Sequence, residues 1–587
     1  MSSRPPARPL RALALALVLL GTLLASVPAS AGTTTIQISV SDPLVDFGEA
    51  VTLTMALGGE AACLEGRTVM LEWRPADSAG FATVGSGTSS AGGTVTLQQT
   101  QPHTGRYRAS VESSGGCPSA TSEDTLVRVR AFVDASVVTG SGVVGSCVDV
   151  FTSVQPARPG QVADLQRRLD GAWVTIEQLT LDPLSNATAA PCFGVDDIGV
   201  VRLRVRWIAQ DQLNETDSSP ILAFEIVPAQ WIEAIEDAIG ARTVSVAVGE
   251  EDTYLYRKDA GAQRVPASNT KLLLSMAMLD AFGPDLRIRT SAAVTAIDDA
   301  GVVEDLWILG RGDPKVSKPS LGALARELAD AGVTRVHGRV MGSTGYFKRD
   351  WDAPGWNDVA RDYVNRPTAL TFDGNDAPDP ERRAAEILMQ GLEDLGIRVA
   401  GEAGAGSPPN GLDTLAFVRS QPLQALLQKL LRPSDNFAAE VLGKRLGVET
   451  AGTPGTIAKG AAAIEDFTDA HGADFTINDS SGLSYRNRVT AEGVVRLLWI
   501  AEDAAWYEPL RQALPTGGQG TLRDRLHGVH IRAKTGTLSE VSALSGWVFS
   551  AGTGTWVEFS ILCSGMSKTT ASAIEDEIVT ILADQLA

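Results

Sequence analysis

The period of the apolar pattern changes once along the chain, and that change divides what it can fold into. From Thr33 to about Arg130, apolar and polar residues alternate in short runs: Val51, Leu53 and Met55, then Val69, Leu71 and Trp73, then Tyr107, Ala109 and Val111. Turns rich in Gly, Ser and Pro separate them. A period of two buries one face of a strand, so residues 32–130 are expected to form an all-β sandwich. The style repeats over 131–228, most clearly where Val201, Leu203, Val205 and Trp207 alternate with Arg202, Arg204 and Arg206. Both units read as immunoglobulin-like. After Pro228 the texture becomes mixed. Trp231, Ile232, Ala234, Ile235 and Ile239 fit an amphipathic helix, and Val244, Val246 and Val248 fit a strand. An α/β domain over 229–587 follows, and 587 residues suit several cores better than one.

Residues 1–31 have the three-part layout of a secretory signal peptide. Arg4, Arg8 and Arg11 precede an apolar run from Ala12 to Val27, and Ala29-Ser30-Ala31 stands before Gly32. The mature chain is expected to be secreted and to have no integral membrane span; a retained N-terminal anchor is the other reading of the run. A net charge of -20 disfavours nucleic acid or an anionic membrane as a partner. In an exported chain, Cys63 with Cys117 and Cys147 with Cys192 suggest one disulfide in each β domain, with pairing across the domains as the alternative. Cys563, among Phe559, Ile561 and Leu562, reads as a buried thiol.

Three short segments carry chemistry. Ser268-Asn269-Thr270-Lys271 runs into Leu272, Leu273, Leu274, Met276 and Leu279, as the first turn of a buried helix introduced by Pro266. Positions three apart share a helix face, which sets the Ser268 hydroxyl beside the Lys271 amine. A neutral amine can take the serine proton, and burial with a neighbouring cation such as Lys534 lowers a lysine pKa. Ser434-Asp435-Asn436 follows an apolar helical run and Pro433, and precedes Phe437, Ala438 and Ala439, as a tight turn between helices. There Ser434 can relay a proton and Asn436 can hold a substrate amide, or Ser434 can be a plain helix cap. Lys534-Thr535-Gly536-Thr537 fits a strand bordering a cleft. Lys534 and Thr535 can meet a carboxylate, and Gly536 leaves room for a substrate backbone. The N–H groups of Thr537 and Ser268 can form an oxyanion hole.

Each segment alone says little. Their order is the combination shared by β-lactamases and penicillin-binding proteins. Around them stand VPASNTKL (265–272), FGPDLRIRT (282–290), GRGDP (310–314), PGWND (354–358), LTFDGN (370–375), RPSDNFAAE (432–440), DSSGLS (479–484), LPTGGQGTL (514–522) and AKTGTL (533–538). Over about 229–587 the chain thus resembles the class C low-molecular-mass penicillin-binding proteins, the D-alanyl-D-alanine carboxypeptidase/endopeptidase family of the penicillin-binding protein 4 type. That resemblance implies a penicillin-binding, transpeptidase-like (β-lactamase-like) fold with an inserted subdomain at about 291–420. It implies catalytic roles for Ser268 (nucleophile), Lys271 (base), Ser434, Asn436 and Lys534. It implies substrate contacts at Thr535, Gly536, Thr537 and Leu483, with Trp356 and Asp358 in a wall that meets the amino end of a diamino acid. The implied partners are peptidoglycan stem peptides and, as inhibitors, β-lactam antibiotics; no cofactor or metal is implied, and the location is extracytoplasmic, at the cell wall. Tyr485 followed by Arg486 departs from the basic residue the family often has after Ser-Gly-Leu-Ser, which leaves side-chain preference open.

Other classes fit less well. A β-lactamase needs fast deacylation, and no Glu-x-x-x-Asn element lies between Asn436 and Lys534. A Ser-His-Asp hydrolase is disfavoured because the only histidines are His103, His337, His471, His527 and His530 and no Gly-x-Ser-x-Gly elbow occurs; a zinc peptidase is disfavoured because no His-Glu-x-x-His motif occurs. A non-catalytic wall-binding protein, its β domains making the main contacts, is the alternative from another class.

Overall fold

The alternating runs form strands. In a computed structural model, which describes residues 33–586, Val51–Gly58 buries every second side chain and pairs antiparallel with Thr35–Val40 and Thr94–Gln99. A second sheet runs in the order Leu44–Asp46, Thr125–Arg130, Gly105–Val111, Thr68–Pro75, Ala82–Thr88. Leu53, Met55, Val69, Leu71, Tyr107 and Ala109 share one core. Further along, Phe132–Val137, Val150–Gln155 and Asn186–Ala189 form a three-stranded sheet, and Val162–Leu169 pairs on its two sides with Ala172–Thr180 and with residues 203–207. The signal peptide expected over 1–31 lies outside the described residues, among which no helix is long and apolar enough to cross a membrane.

By compactness the chain divides into two units, and the division does not fall at Pro228. One comprises the described residues up to Val138, Asp149–Pro191 and Arg202–Ala223; the other comprises Thr139–Val148, Cys192–Val201 and Phe224 onward. The reason is local packing. Cys147–Cys192 joins the two early segments of the larger unit, Val144 and Val195 pack on its core, and Asp196 pairs with Arg257. Cys63–Cys117 staples the first β region, and Cys563 is a buried free thiol.

The larger unit is built on a five-stranded antiparallel sheet, ordered Thr253–Lys258, Val244–Glu250, Trp556–Ser564, Val541–Phe549, Ile531–Leu538. The inner strands are buried on both faces because both faces are covered. Helices Gln230–Ile239 and Lys568–Asp584 share a core with one face; Thr270–Phe282, Asn436–Ala451, Ile457–Ala470 and Ala491–Asp503 share a core with the other. Thr270–Phe282 is apolar nearly all round, as a helix surrounded by protein must be.

Arg289–Val294 pairs with Asp413–Arg419 and closes the neck of an inserted subdomain. Its sheet continues through Leu306–Leu309, Val340–Ser343 and Gly404–Gly406, and helices Lys318–Asp330 and Pro380–Asp394 pack over it on a separate core of Leu306, Ile308, Leu321, Leu324 and Leu388. A buried lysine ties part of this insertion to the main body. Lys444 donates to the carbonyls of Lys348, Asp350 and Pro367 at 3.0 to 3.1 Å and to the Asp350 carboxylate at 2.7 Å.

The Cys63–Cys117 bridge closes a loop with a sequence separation of 54. In the chain-entropy account this is worth about 4 kcal/mol, so Cys63→Ala/Cys117→Ala should lower the unfolding free energy of the first β region by about that amount in a denaturant melt. An unchanged transition would mean that the core alone holds it.

Candidate active site

Ser268 sits in a 3-10 turn, Ala267–Asn269, immediately before the helix Thr270–Phe282. A 3-10 turn eclipses positions three apart, more closely than the helix expected from sequence, and Lys271 Nζ reaches Ser268 Oγ at 2.9 Å. Ala267 takes a left-handed φ of 46° to make this turn. It leaves the Ser268 side chain partly exposed on a cleft of about 360 Å³.

The amine of Lys271 is fully buried and reaches three elements. Besides Ser268 it contacts Asn436 Oδ1 at 2.7 Å, and it donates to the Ser481 carbonyl. Burial lowers its pKa from 10.5 to about 8, against the opposing pull of Asp479, Glu440 and Asp435. At neutral to mildly alkaline pH a useful fraction of the amine is therefore free to accept a proton.

The second element is the turn between helices Leu423–Leu431 and Asn436–Ala451. Its helix cap is Asp435, which accepts from the Ala438 N–H at 2.9 Å and pairs with Lys315 of the insertion at 2.6 Å. With the cap supplied by its neighbour, Ser434, at a left-handed φ of 62°, turns its hydroxyl to Lys534 Nζ at 3.0 Å. Asn436 donates with its other end to the Tyr363 carbonyl at 3.0 Å.

The third element, Ile531–Leu538, is an edge strand of the five-stranded sheet. Lys534 is buried, and burial together with the Lys271 charge pushes its pKa well down. Thr537 lines the cleft, while Thr535 Oγ1 donates to Thr521 Oγ1 at 2.7 Å. The space at Gly536 is claimed by protein: a Cβ there would stand 2.5 Å from the Pro266 carbonyl and 3.2 Å from the Ala267 Cβ. The glycine lets the strand approach the serine turn, a different reason from the room for substrate expected of it.

Leu483 lines the cleft, and the preceding Gly482 (φ 83°) would place a Cβ 1.9 Å from the Ala267 carbonyl. The Tyr485 hydroxyl accepts from the Ser539 N–H at 3.0 Å, joining this loop to the turn after the third element. From the insertion, Asn357, Val359, Ala360 and Tyr363 line the cleft. Trp356 instead donates through Nε1 to Asp479 at 2.7 Å, and Asp358 is exposed on the same segment.

Two carboxylates organise the site without having been singled out from sequence. Asp479, fully buried, accepts from the N–H groups of Gly482 and Ser484, from the Ser481 hydroxyl, and from Asn487 and Trp356, at 2.7 to 3.1 Å. Glu440, also fully buried, accepts from the Ser480 and Ser481 N–H groups at 3.0 and 2.7 Å, while its second oxygen has no hydrogen-bond partner among the described residues. Burial, then the Asp479 charge, raises its pKa to about 7. The signal was present for Glu440: a charge inside the apolar run Phe437, Ala438, Ala439, Val441, Leu442 has to be buried with partners.

The fold is that of a penicillin-binding protein. The chain aligns with penicillin-binding protein 4 of Haemophilus influenzae at a TM-score of 0.53 and 19% identity, covering 60% of this chain and 99% of that structure. Residues 229–379 and 376–585 match the D-Ala-D-Ala carboxypeptidase 3 (S13) family, and the chain belongs to it, among the serine-type carboxypeptidases. It is 31% identical to a D-alanyl-D-alanine carboxypeptidase of Actinomadura sp. (strain R39) over 60% of this chain and 82% of that protein. It is 28% identical to a carboxypeptidase of Mycobacterium tuberculosis over 52% and 72%.

Ionised Glu440 raises the Lys271 pKa, and above about pH 7 Glu440 is ionised. Glu440→Gln removes that charge, so the pH midpoint of penicillin acylation should move down by about one unit with the fold retained. An unmoved midpoint would separate Glu440 from the titration of Lys271.

Proposed function

We propose that this chain is an exported serine DD-peptidase that cleaves D-alanyl-D-alanine ends and D-alanyl cross-links of peptidoglycan stem peptides through an acyl-enzyme on Ser268, and that β-lactams acylate the same serine. The observation that carries the reading is the contact between the Ser268 hydroxyl and a buried lysine of depressed pKa at 2.9 Å. Lys271 takes the hydroxyl proton as Ser268 attacks the D-alanyl carbonyl. The N–H groups of Ser268 and Thr537 meet the developing oxyanion. The departing D-alanine needs a proton on its nitrogen, and the pair Ser434 and Lys534, 3.0 Å apart, can return one from Lys271. Asn436 positions Lys271 and the substrate amide. Thr537, with Lys534, draws in the terminal carboxylate, and the edge strand aligns the peptide as an added strand. Water then hydrolyses the ester by the same route in reverse.

The insertion segment around Trp356 and Asp358, with Leu483 across the cleft, sets the preference for the stem-peptide side chain. Residues 32–130 and 131–228 are immunoglobulin-like sandwiches that hold the enzyme near the wall. In support, Leu44–Asp46 pairs parallel to residues 128–130 and Ser141–Val143 pairs parallel to residues 225–227, while Thr35–Val40 with Val51–Gly58, Thr68–Pro75 with Gly105–Val111, and Phe132–Val137 with Val150–Gln155 pair antiparallel.

Labelled penicillin should modify Ser268, and Ser268→Ala should take up none; label persisting on that variant would sink the assignment. Lys271→Ala should slow acylation by about 10² to 10⁴-fold with an unchanged melt, since that is the usual range for a lost general base. Asp358→Asn should slow diamino-acid substrates up to about fivefold and spare small acyl-D-alanine analogues. Equal loss on both substrate classes would remove Asp358 from specificity.

A further inference from the structure

The larger unit has a second cavity, of about 370 Å³, at the start of the strand that carries Lys534. Its walls bring together Arg511 from the short helix Tyr507–Ala513, His530 and Arg532 from the strand and its approach, Thr516 from the preceding loop, and the ring of Trp556. The charges are out of balance. Glu508 is the carboxylate of this wall, and it is already engaged by Arg511 at 3.0 Å and by Gln512 at 2.8 Å. Arg511 also lies 4.8 Å over the Trp556 ring, which fixes its direction. The guanidinium of Arg532 has no ion-pair partner among the described residues, although half-buried. Burial, and then the like charges of Arg511 and Arg432, lower its pKa, while Glu508 offsets only part of this. Two guanidiniums, Arg511 and Arg532, face one committed carboxylate, with the Arg432 charge close enough to act on Arg532; in a chain of net charge -20 this is a local excess of positive charge. Planar guanidinium forks match carboxylate and phosphate oxygens, and a bound anion would relieve the repulsion.

We propose that this cavity is a non-catalytic binding site for an oxyanion group, held chiefly by Arg532 and Arg511. The ligand is a phosphate or carboxylate carried on a wall polymer or peptide. The site shares a loop with the catalytic elements: Thr516 belongs to the segment whose Thr521 N–H donates to the Arg432 carbonyl at 3.0 Å and whose Thr521 hydroxyl meets Thr535 at 2.7 Å. An anion seated on Thr516 and Arg532 would brace that loop between the second and third elements.

Thermal melts of the full mature protein in phosphate, sulfate and succinate, each compared with chloride at equal ionic strength, test this directly. A saturable rise in Tm beyond that in chloride is expected, and Arg532→Gln should abolish the anion-specific part while still taking up penicillin. A rise with phosphate and sulfate alone points to a phosphate-bearing polymer; an equal rise with succinate points to a peptide carboxylate. Melts that rise no more than in chloride would overturn the proposal. So would a folded Arg532→Gln protein that keeps the whole shift. Neither outcome touches penicillin labelling of Ser268, so failure here is separable from failure of the catalytic reading.

Discussion

Two buried amines in one cleft wall set the terms for everything around them. Removing a lysine amine from water favours its neutral form and leaves its donors in need of acceptors. Lys271 finds its acceptors on the serine turn, on Asn436 and on the loop carbonyl of Ser481. Lys534 finds Ser434 and the Thr535 carbonyl. Lys271 lies 165 positions from Asn436 and 210 from Ser481, and Lys534 lies 100 from Ser434. The amines are satisfied only when helix, turn, loop and strand have all docked, so assembly of the site and completion of the core are one event.

Close backbone approaches make that docking possible. Gly482 sits where a side chain would strike the Ala267 carbonyl, and Gly536 where it would crowd the Pro266 carbonyl. The serine turn is thus clamped from both sides by glycines. Asp479 stiffens the first clamp by gathering five donors from the loop and its neighbours, and Asn269 ties the turn to Ser545 at 2.7 Å. The rigidity matters chemically, because a nucleophile and its base lose catalytic power quickly when their separation drifts.

Much of this was legible in the sequence, and what was not has a common cause. Period-two runs gave the N-terminal strands, and the leucines after Lys271 gave a buried helix, because burial patterns are local. The Ser-Lys spacing gave a contact, although as a 3-10 turn and not a helical one. Three segments could be ranked as one site because of their resemblance to a known set; spacing alone would not have brought them together. The unread parts depend on partners far along the chain. Nothing local told that Asp435, not Ser434, would cap the helix, or that Trp356 would bond Asp479. The packing of Val144 and Val195 on the larger unit was equally hidden, since their own runs look like ordinary strand and turn.

Activation of Ser268 depends on the protonation state of one amine. Lysine-selective isotope labelling, with the Lys271 signal assigned by its loss in Lys271→Arg, allows its titration to be followed by NMR in the unliganded protein. The expected midpoint is near 8, lowered by burial from 10.5. A midpoint at or above the ordinary lysine value would leave Lys271 protonated throughout the working range and would contradict its role as the base that activates Ser268.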